Sequence, residues 1–453
     1  VPTRIQRVRI GLAVGEWRCS NHRSADPLHP PSGRRQAAMA TPAPYLVEEI
    51  LEEILIRLPT PAALVRASTA CASFRRIITA RSFRRRYRKL HPPPLLGFAA
   101  KKGGFYPVLE SHPSAPPARA LADAADFSYS YVPKPKVGRG VFNPWCPRDV
   151  RDGRVLLVRD RWFRRTRLSI FIKVLAVCDP LSRRYVLLPE FPWDLDMTML
   201  QEYLYGFEPI LLPIGDDEDE TSFTVLCWAR YESKFLMLLF SSATGKWCVA
   251  ASFSWSSFGT VETSRKLLFC FNYIRGCLYW TSHLGDKLLM FDTCTMEFST
   301  VNILTSYHVE LINLPDQSKW LSSVVLATEG ALEMFTLIQN RGPNDSYSYY
   351  IYHTTQHNED HSSDKCELKN VIALPRPHRC YIAVNATRGF LFLRGYRETQ
   401  YPGLRGWIED LFSLDVKTSE LKMVRRGKQV IMKSAKRVCP YFGFPPSLSE
   451  PSL

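Results

Sequence analysis

The segment YHTTQHNEDHSSDKC carries the residue types of a metal site. His353, His357 and His361 recur every four residues, so on a helix they would share one face. Together with Asp364 or Cys366 they could then bind zinc. The segment has too few apolar residues to pack such a helix, and strand-like runs, YSYYIY and CELKNVIAL, flank it. We therefore predict a solvated loop between two strands, with the zinc helix as the alternative, and we expect neither a metal nor another cofactor.

Sequence signatures of catalysis are missing from the chain. It contains no G-x-S-x-G, no H-E-x-x-H and no G-x-x-x-x-G-K motif. The run SSATGKW includes Gly-Lys, but Phe240 stands where a phosphate-binding loop needs its first glycine, so we interpret the run as a hairpin turn. The acidic run GDDEDE at 215–220 could attract a basic partner, although such runs are typical of solvated loops. We therefore expect a protein that is not an enzyme.

Composition limits the classes of protein to which the chain can belong. With 453 residues, 45% of them hydrophobic, it is long enough for two or three folded units. The net charge of +16 is concentrated before residue 92, which argues against a broad nucleic-acid surface in the remainder. The 12 cysteines form no C-x-x-C pair, which favours buried thiols in a reducing compartment. Apolar runs such as FLMLLF are too short to span a membrane.

The first 38 residues differ from the rest of the chain. They have no clear periodicity and are rich in arginine, proline and serine, whereas Met39 opens a stretch that resembles an ordinary N-terminus. We predict that 1–38 is a disordered or spurious upstream segment, with a functional basic tail as the alternative. The segment has no clean apolar stretch of a signal peptide, so we expect a cytoplasmic or nuclear protein. The basic run 84–89 is interpreted as a solvated helix end, with a nuclear-import signal as the alternative.

Residues 46–79 have the periodicity of two amphipathic helices. Apolar residues recur every four positions from Leu46 to Leu58, while four glutamates leave the other face in water. Pro59 would end this helix, and Thr60 and Pro61 suit the N-cap and first turn of the next. A module of about fifty residues has little core of its own. We therefore expect its spare apolar side chains to dock against the helices of a partner.

Residues 46–87 resemble an F-box. The positions that carry the resemblance are Leu46, Ile54-Leu55, Arg57-Leu58-Pro59, Leu64, Arg66, Cys71, Phe74-Arg75, Ile78 and Phe83. The sequence departs from the usual pattern at Val47, Ala70 and Phe74, where proline, valine and tryptophan are common. The resemblance implies insertion into a Skp-type adaptor and, through it, assembly with a cullin-RING ubiquitin ligase. A generic helical domain that packs only within its own chain is the alternative.

The resemblance also implies which residues contact the adaptor. The expected contacts are Leu46, Leu55, Leu58, Pro59, Leu64, Val65, Cys71 and Phe74. For about half of them, packing within the core of the module is an equally good explanation.

After residue 95 the pattern changes to short apolar runs separated by turns. Asp179, Ser241, Asp292 and Asp415 each end such a run, and a serine or threonine follows each of them three residues later. Glycines at 153, 276, 330 and 389 each precede another apolar run. Side chains of these types close hairpin turns, and the spacing of roughly fifty to sixty residues, or twice that, is typical of kelch-like propeller blades. A pair of β-sandwiches is the alternative.

The predicted fold class is therefore α+β with several domains: a small helical F-box followed by an all-β propeller of about six blades. The predicted boundaries are 39–95 for the F-box, 96–440 for the propeller and 441–453 for a C-terminal tail. The runs LAVCDPLSRRYVLLPE, FSSATGKWCVA and LLMFDTCTMEFSTV resemble repeats of plant F-box proteins with an F-box-associated β-propeller.

This resemblance implies a substrate-receptor subunit of an SCF-type ubiquitin ligase, which binds a Skp-type adaptor through the F-box and a target protein through the propeller. We expect no nucleic acid and no membrane among its partners. The alternatives are an enzyme or small-molecule sensor that uses the central channel of the propeller, and a scaffold that binds the adaptor without delivering a target. The sequence does not identify the target.

Overall fold

The computed structural model describes residues 47–100, 104–133, 144–161, 172–191, 206–213, 222–231, 233–254, 271–274, 276–281, 287–302, 318–327, 332–343, 346–357, 365–398, 406–427, 429–430 and 438–443. The structural statements below concern these residues. Several predicted features lie outside them, namely 1–38, Leu46, the acidic run 215–220, Gly330, His361 and Asp364.

Four consecutive helices open the described chain. They are α1 (Glu48–Leu55), α2 (Pro61–Ala70), α3 (Ala72–Thr79) and α4 (Arg81–Leu90). Thr60 caps α2 as predicted, because its Oγ1 accepts a hydrogen bond of 3.1 Å from the Ala63 backbone N–H, and Pro61 occupies the first turn. Cys71 separates α2 from α3, and its Sγ accepts a hydrogen bond of 3.4 Å from the Phe74 N–H. Of the described helices, none is long and apolar enough to cross a lipid bilayer.

Beyond α4, the described strands form six antiparallel sheets, and labels follow chain order. The first sheet contains β1 (Leu95–Ala99), β2 (Phe105–Pro107) and β24 (Cys439–Phe442). The second contains β3 (Cys146–Arg151), β4 (Arg154–Arg161), β5 (Ile172–Asp179) and β6 (Arg184–Leu187). The third contains β7 (Gly206–Leu211), β8 (Thr224–Arg230), β9 (Lys234–Ser241) and β10 (Lys246–Ser254).

The other three sheets repeat this arrangement. The fourth contains β11 (Phe271–Ile274), β12 (Cys277–Thr281), β13 (Lys287–Asp292) and β14 (Glu297–Asn302). The fifth contains β15 (Ser318–Ala327), β16 (Leu332–Arg341), β17 (Tyr347–His357) and β18 (Lys365–Ala373). The sixth contains β19 (Cys380–Thr387), β20 (Phe390–Glu398), β21 (Trp407–Asp415) and β22 (Leu421–Arg425), and β23 (Gln429–Val430) also pairs with β21. A fifth helix, α5 (Ala115–Ala124), packs on β1 and β2.

The six sheets are arranged as a ring. Neighbouring inner strands touch one another: β24 contacts β3, β3 contacts β7, and β15 contacts both β11 and β19. Buried apolar clusters join the first sheet to the second and sixth, the third to the second and fourth, and the fifth to the sixth. The described residues therefore form a β-propeller of six blades. The predicted propeller is confirmed, and the alternative of two β-sandwiches is wrong.

The predicted hairpin repeat coincides with the turns between the third and fourth strands of the blades. Asp179, Ser241, Asp292 and Asp415 are the last residues of β5, β9, β13 and β21. The aspartates accept hydrogen bonds of 2.7–2.9 Å from the backbone N–H two residues later. Four residues after each of these positions the backbone has a positive φ, at Arg183, Gly245, Met296 and Ser419. The four hairpins thus share one turn conformation.

The first blade is built from both ends of the propeller. β24 pairs with β1, so the chain closes its own ring. The predicted domain boundary after residue 440 falls inside β24, and β1 begins at Leu95, one residue before the predicted start of the propeller. At the closure, the Tyr441 hydroxyl donates to the Gly153 carbonyl (3.3 Å). Arg388 Nη2 lies 2.6 Å from Asp152 Oδ1 and joins the sixth blade to the second.

Candidate functional site: an apolar row on the helical module

The helices α1–α4, which we call the helical module, have a small core of their own. Its buried residues are Leu55, Ile56, Leu64, Ile77, Ile78, Phe83 and Tyr87. Two hydrogen bonds hold α4 against the end of α1. The Tyr87 hydroxyl donates to the Leu58 carbonyl (3.0 Å), and His91 Nε2 donates to the Ile56 carbonyl (2.8 Å). The turn at Leu58-Pro59 is therefore fixed from inside the module.

The sequence suggested that the glutamates of α1 face only water. In the structure, three of them also form ion pairs with arginines of later helices. Arg76 Nη2 of α3 lies 2.6 Å from Glu48 Oε2, and Arg86 Nη1 of α4 lies 2.7 Å from Glu52 Oε1. Arg86 also pairs with Glu53, and this hydrogen bond holds the pKa of Glu53 below its ordinary value. These ion pairs join α1 to α3 and α4, whereas Leu55, buried in the core, and Leu51, packed against it, determine which face of α1 turns inward.

With this rotation, α1 presents a row of apolar side chains to solvent. Ile50 and Ile54 are 47% and 49% exposed, whereas Leu55 is buried. Their spacing of four residues places them in one stripe along the helix. Covering each of them would contribute on the order of 1 kcal/mol. An exposed row of this kind on a small module favours association with another protein.

A groove of about 460 Å³ lies beside α2 and α3. Its lining residues are Ser68, Thr69, Cys71, Ala72, Arg75, Arg76 and Thr79. Five of its lining side chains are small, and the other two are the arginines Arg75 and Arg76. Arg76, which pairs with Glu48 of α1, connects this groove to the first turn of the helix that carries the apolar row.

The residues that the F-box resemblance implies for adaptor binding fall into two groups. Leu55 and Leu64 are buried in the core, and Leu58 and Phe74 pack against it. Val65 is half-buried, Pro59 and Cys71 are exposed, and Leu46 lies outside the described residues. Sequence reasoning did not separate the exposed row from the buried face of α1. The available signal was the width of the apolar face, because Ile50 and Ile54 directly precede Leu51 and Leu55 and cannot share their stripe.

The histidine cluster is not on a helix. His353 and His357 lie on β17, and Cys366 lies on β18. The strands thus extend into both ends of the segment, so the connection between them is shorter than the predicted loop. On a strand, residues four apart lie about 13 Å from each other, too far to bind one zinc ion. Among the described residues, no group of three or more histidine, cysteine, aspartate or glutamate side chains could hold a metal ion.

A small cavity lies among the inner strands β3, β7, β11, β19 and β24. It has a volume of about 20 Å³ and is lined by Asp149, Val150, Arg151, Ile210, Tyr273, Asn385, Ala386, Thr387 and Pro440. Such a volume holds about one water molecule.

Comparisons with known proteins give no family. No family model matches the chain, and no curated protein is similar to it. Among solved structures, a bifunctional GH43-CE protein of Bacteroides eggerthii has a TM-score of 0.31 and 12% identity, over 67% of this chain and 36% of that one. A GH93 α-L-arabinofuranosidase of Fusarium graminearum, solved with arabinobiose, has a TM-score of 0.32 and 11% identity, over 66% of this chain and 79% of that one.

The α-L-arabinanase of Penicillium chrysogenum has a TM-score of 0.31 and 11% identity, over 64% of this chain and 80% of that one. This chain thus spans about a third of the length of the Bacteroides protein and about four fifths of the two fungal proteins. Similarity at this level bears neither on the fold nor on the activity of the chain.

Proposed function

We propose that the chain is a substrate-receptor subunit of an SCF-type ubiquitin ligase. In this proposal the helical module is an F-box that binds a Skp-type adaptor, and the propeller binds a target protein. The observation that carries the proposal is the exposed row of Ile50 and Ile54, on a module whose sequence resembles an F-box. The proposed location is the cytoplasm, the nucleus or both.

The proposed mechanism is positional. The adaptor would join the module to a cullin, and the propeller would hold a target close to the ubiquitin-loaded enzyme. Proximity raises the effective concentration of the target's lysines at the thioester, so the receptor need not contribute a catalytic group.

The test is co-purification of the full chain with a Skp-type adaptor. We expect the double substitution Ile50→Asp and Ile54→Asp to weaken adaptor binding at least tenfold, because two apolar contacts would be replaced by charges that the complex buries. Both side chains are about half exposed and lie outside the core, so the module should still fold. An unchanged far-UV circular dichroism spectrum and thermal midpoint would show this.

Leu181→Asp is the matched control, because Leu181 is 56% exposed and lies on a propeller hairpin. It should leave adaptor binding unchanged. The proposal is wrong if the unsubstituted chain binds no adaptor, or if the double variant binds as tightly as the unsubstituted chain.

Target capture separates the receptor from the scaffold alternative. A receptor whose α1 row is disabled should still retain its target, and the intact complex should transfer ubiquitin to that target. A scaffold would bind the adaptor and transfer ubiquitin to no bound protein. The small-molecule alternative gains no support from the cavity among the inner strands, which has a volume of only about 20 Å³.

A further inference from the structure

A pocket of about 470 Å³ opens between the fifth and sixth blades. Its lining residues are Glu333, His353, Lys369, Asn370, Val416, Lys417 and Ser419. The fifth blade supplies the first four from β16, β17 and β18, and the turn between β21 and β22 supplies the others. The volume lies within the range of ligand pockets in proteins.

Glu333 occupies a position that other blades fill with apolar side chains. It is the third residue after Gly330, and the third residue after the matching glycine is Leu156, Tyr279 or Phe392 in the second, fourth and sixth blades. All three are buried, and Glu333 is itself only 3% exposed. Burying a carboxylate where an apolar side chain would pack costs stability, so packing alone does not explain the acid.

His353 shows the same departure. It pairs across the sheet with Phe335, the fifth residue after Gly330. The residues at the equivalent pairings in the second, fourth and sixth blades are Leu175, Leu288 and Leu411. The fifth blade thus places two polar side chains next to each other at positions that are apolar elsewhere in the propeller.

The polar groups of the pocket are mostly hydrogen-bond donors. Lys369 Nζ lies 2.8 Å from Glu333 Oε1, which leaves further ammonium hydrogens directed away from the carboxylate. Asn370 Oδ1 accepts from the Val371 backbone N–H (2.8 Å), so its amide group is turned outward as a donor. His353 Nε2 is buried and lies 3.3 Å from Glu333 Oε2.

The charges of the pocket favour an anion. Burial lowers the pKa of His353, and the neighbouring Glu333 opposes this effect. Among the described lining residues, two lysines, Lys369 and Lys417, stand against one glutamate. Lys417 is a further departure from the repeat. The same hairpin position holds Leu181, Ala243 and Cys294 in the second, third and fourth blades.

We propose that this pocket, which we call the inter-blade pocket, binds an oxyanion carried by a target polypeptide, as a phosphate or a carboxylate group. The ammonium groups of Lys369 and Lys417, the Asn370 amide and the Ser419 hydroxyl would surround its oxygens. That a target polypeptide carries the oxyanion rests on the proposed function. That the pocket binds an oxyanion does not.

The test uses the full chain and three pools of degenerate peptides, with a fixed central phosphoserine, glutamate or serine. Binding is measured by fluorescence anisotropy. We expect the phosphoserine pool, the glutamate pool or both to bind at least tenfold more tightly than the serine pool. Which of the two binds more tightly distinguishes a phosphate from a carboxylate ligand. Inorganic phosphate should compete for the same site.

Asn370→Asp is the sharpest variant, because it keeps the shape of the side chain and its bond to the Val371 N–H. It replaces the outward amide with a carboxylate, so we expect at least a tenfold loss of binding. Lys417→Met should weaken binding severalfold. The matched controls are Ser299→Asp, on the outer strand of the fourth blade, and Lys246→Met, at an exposed hairpin of the third blade. Both should leave peptide binding unchanged.

Equal binding of the three pools, absence of binding, or an Asn370→Asp variant that binds like the original chain would overturn the proposal. Adaptor binding is measured on the same preparations. A chain that binds the oxyanion pools but no adaptor argues against the ligase assignment alone. A chain that binds the adaptor but shows no preference for the oxyanion pools argues against the inter-blade pocket alone.

Discussion

At the scale of single residues, a buried carboxylate in the sixth blade links stability to pH. His378 Nε2 and Arg397 Nε each lie 2.9 Å from Asp410 Oδ2, and the Gly427 N–H donates to Oδ1 at 2.9 Å. Burial by itself raises the pKa of Asp410, but these hydrogen bonds together outweigh burial and lower the pKa to about 2. The folded protein therefore keeps this side chain ionised at a pH where the unfolded chain takes up a proton.

Because the pKa of Asp410 is lower in the folded state, its contribution to stability is complete above about pH 4 and is lost as the pH falls toward 2. The contribution corresponds to about 2 kcal/mol. Asp410→Asn should lower the free energy of unfolding at pH 7 and reduce its loss between pH 4 and pH 2. Urea unfolding of both proteins at pH 7, 4 and 3 measures this.

Glu110→Gln is the control for this experiment. Glu110 forms an exposed ion pair with Arg119 and should affect stability little, since such pairs contribute about 0–1 kcal/mol. If the Asp410→Asn protein lost as much stability on acidification as the original chain, the network around His378 would not be the source of the pH dependence.

At the scale of elements, the shared hairpin turn is the unit that repeats around the propeller. The fourth residue after the end of the third strand has a left-handed backbone in each of these turns. In the third blade this residue is Gly245, with a φ of 67°, and no atom lies within 4 Å of the position that a Cβ would take. Gly245→Ala should therefore cost about 1 kcal/mol through the backbone alone. A lower urea midpoint would show it, and Ala243→Ser in the same turn should leave the midpoint unchanged. An alanine variant as stable as the original would mean that the turn relaxes to another conformation.

The sequence predicted these hairpins and the cap of α2 because their signals are local. An aspartate that ends a strand, or a threonine before a proline, bonds to backbone only two or three residues away. The rotation of α1 could not be predicted in the same way. It depends on the core that Leu55 shares with residues of α2, α3 and α4, which lie later in the chain. The histidine spacing was ambiguous for another reason, since residues four apart share a face on a helix and on a strand alike.

The inter-blade pocket also escaped the sequence analysis for a physical reason. Its carboxylate, its imidazole and its second lysine come from β16, β17 and the next blade, and no spacing within one segment brings them together. Only the register of the strands shows that Glu333 and His353 stand at positions that are apolar in other blades.

At the scale of the whole molecule, closure of the ring depends on its two ends. β24 is separated from β1 by the length of the propeller, yet it forms the inner strand of the same blade and contacts β3 of the next. Phe442 and Tyr441 pack into the clusters that join this blade to its two neighbours. Such a non-local pairing forms only after the intervening blades have brought the ends together, so the last strand locks the ring.

A chain that ends at Arg437 lacks β24 and tests this view. It should leave one edge of β1 unpaired and expose the apolar clusters on both sides of the first blade, so we expect loss of the cooperative thermal transition and rapid proteolysis. A chain that ends at Gly443 retains β24 and serves as the control, with an expected thermal midpoint close to that of the full chain. If the shorter chain melted at the same temperature as the longer one, the other five blades would be self-sufficient and the ring would not need its last strand. If it melted lower but cooperatively, closure would add stability to a propeller that can form without it.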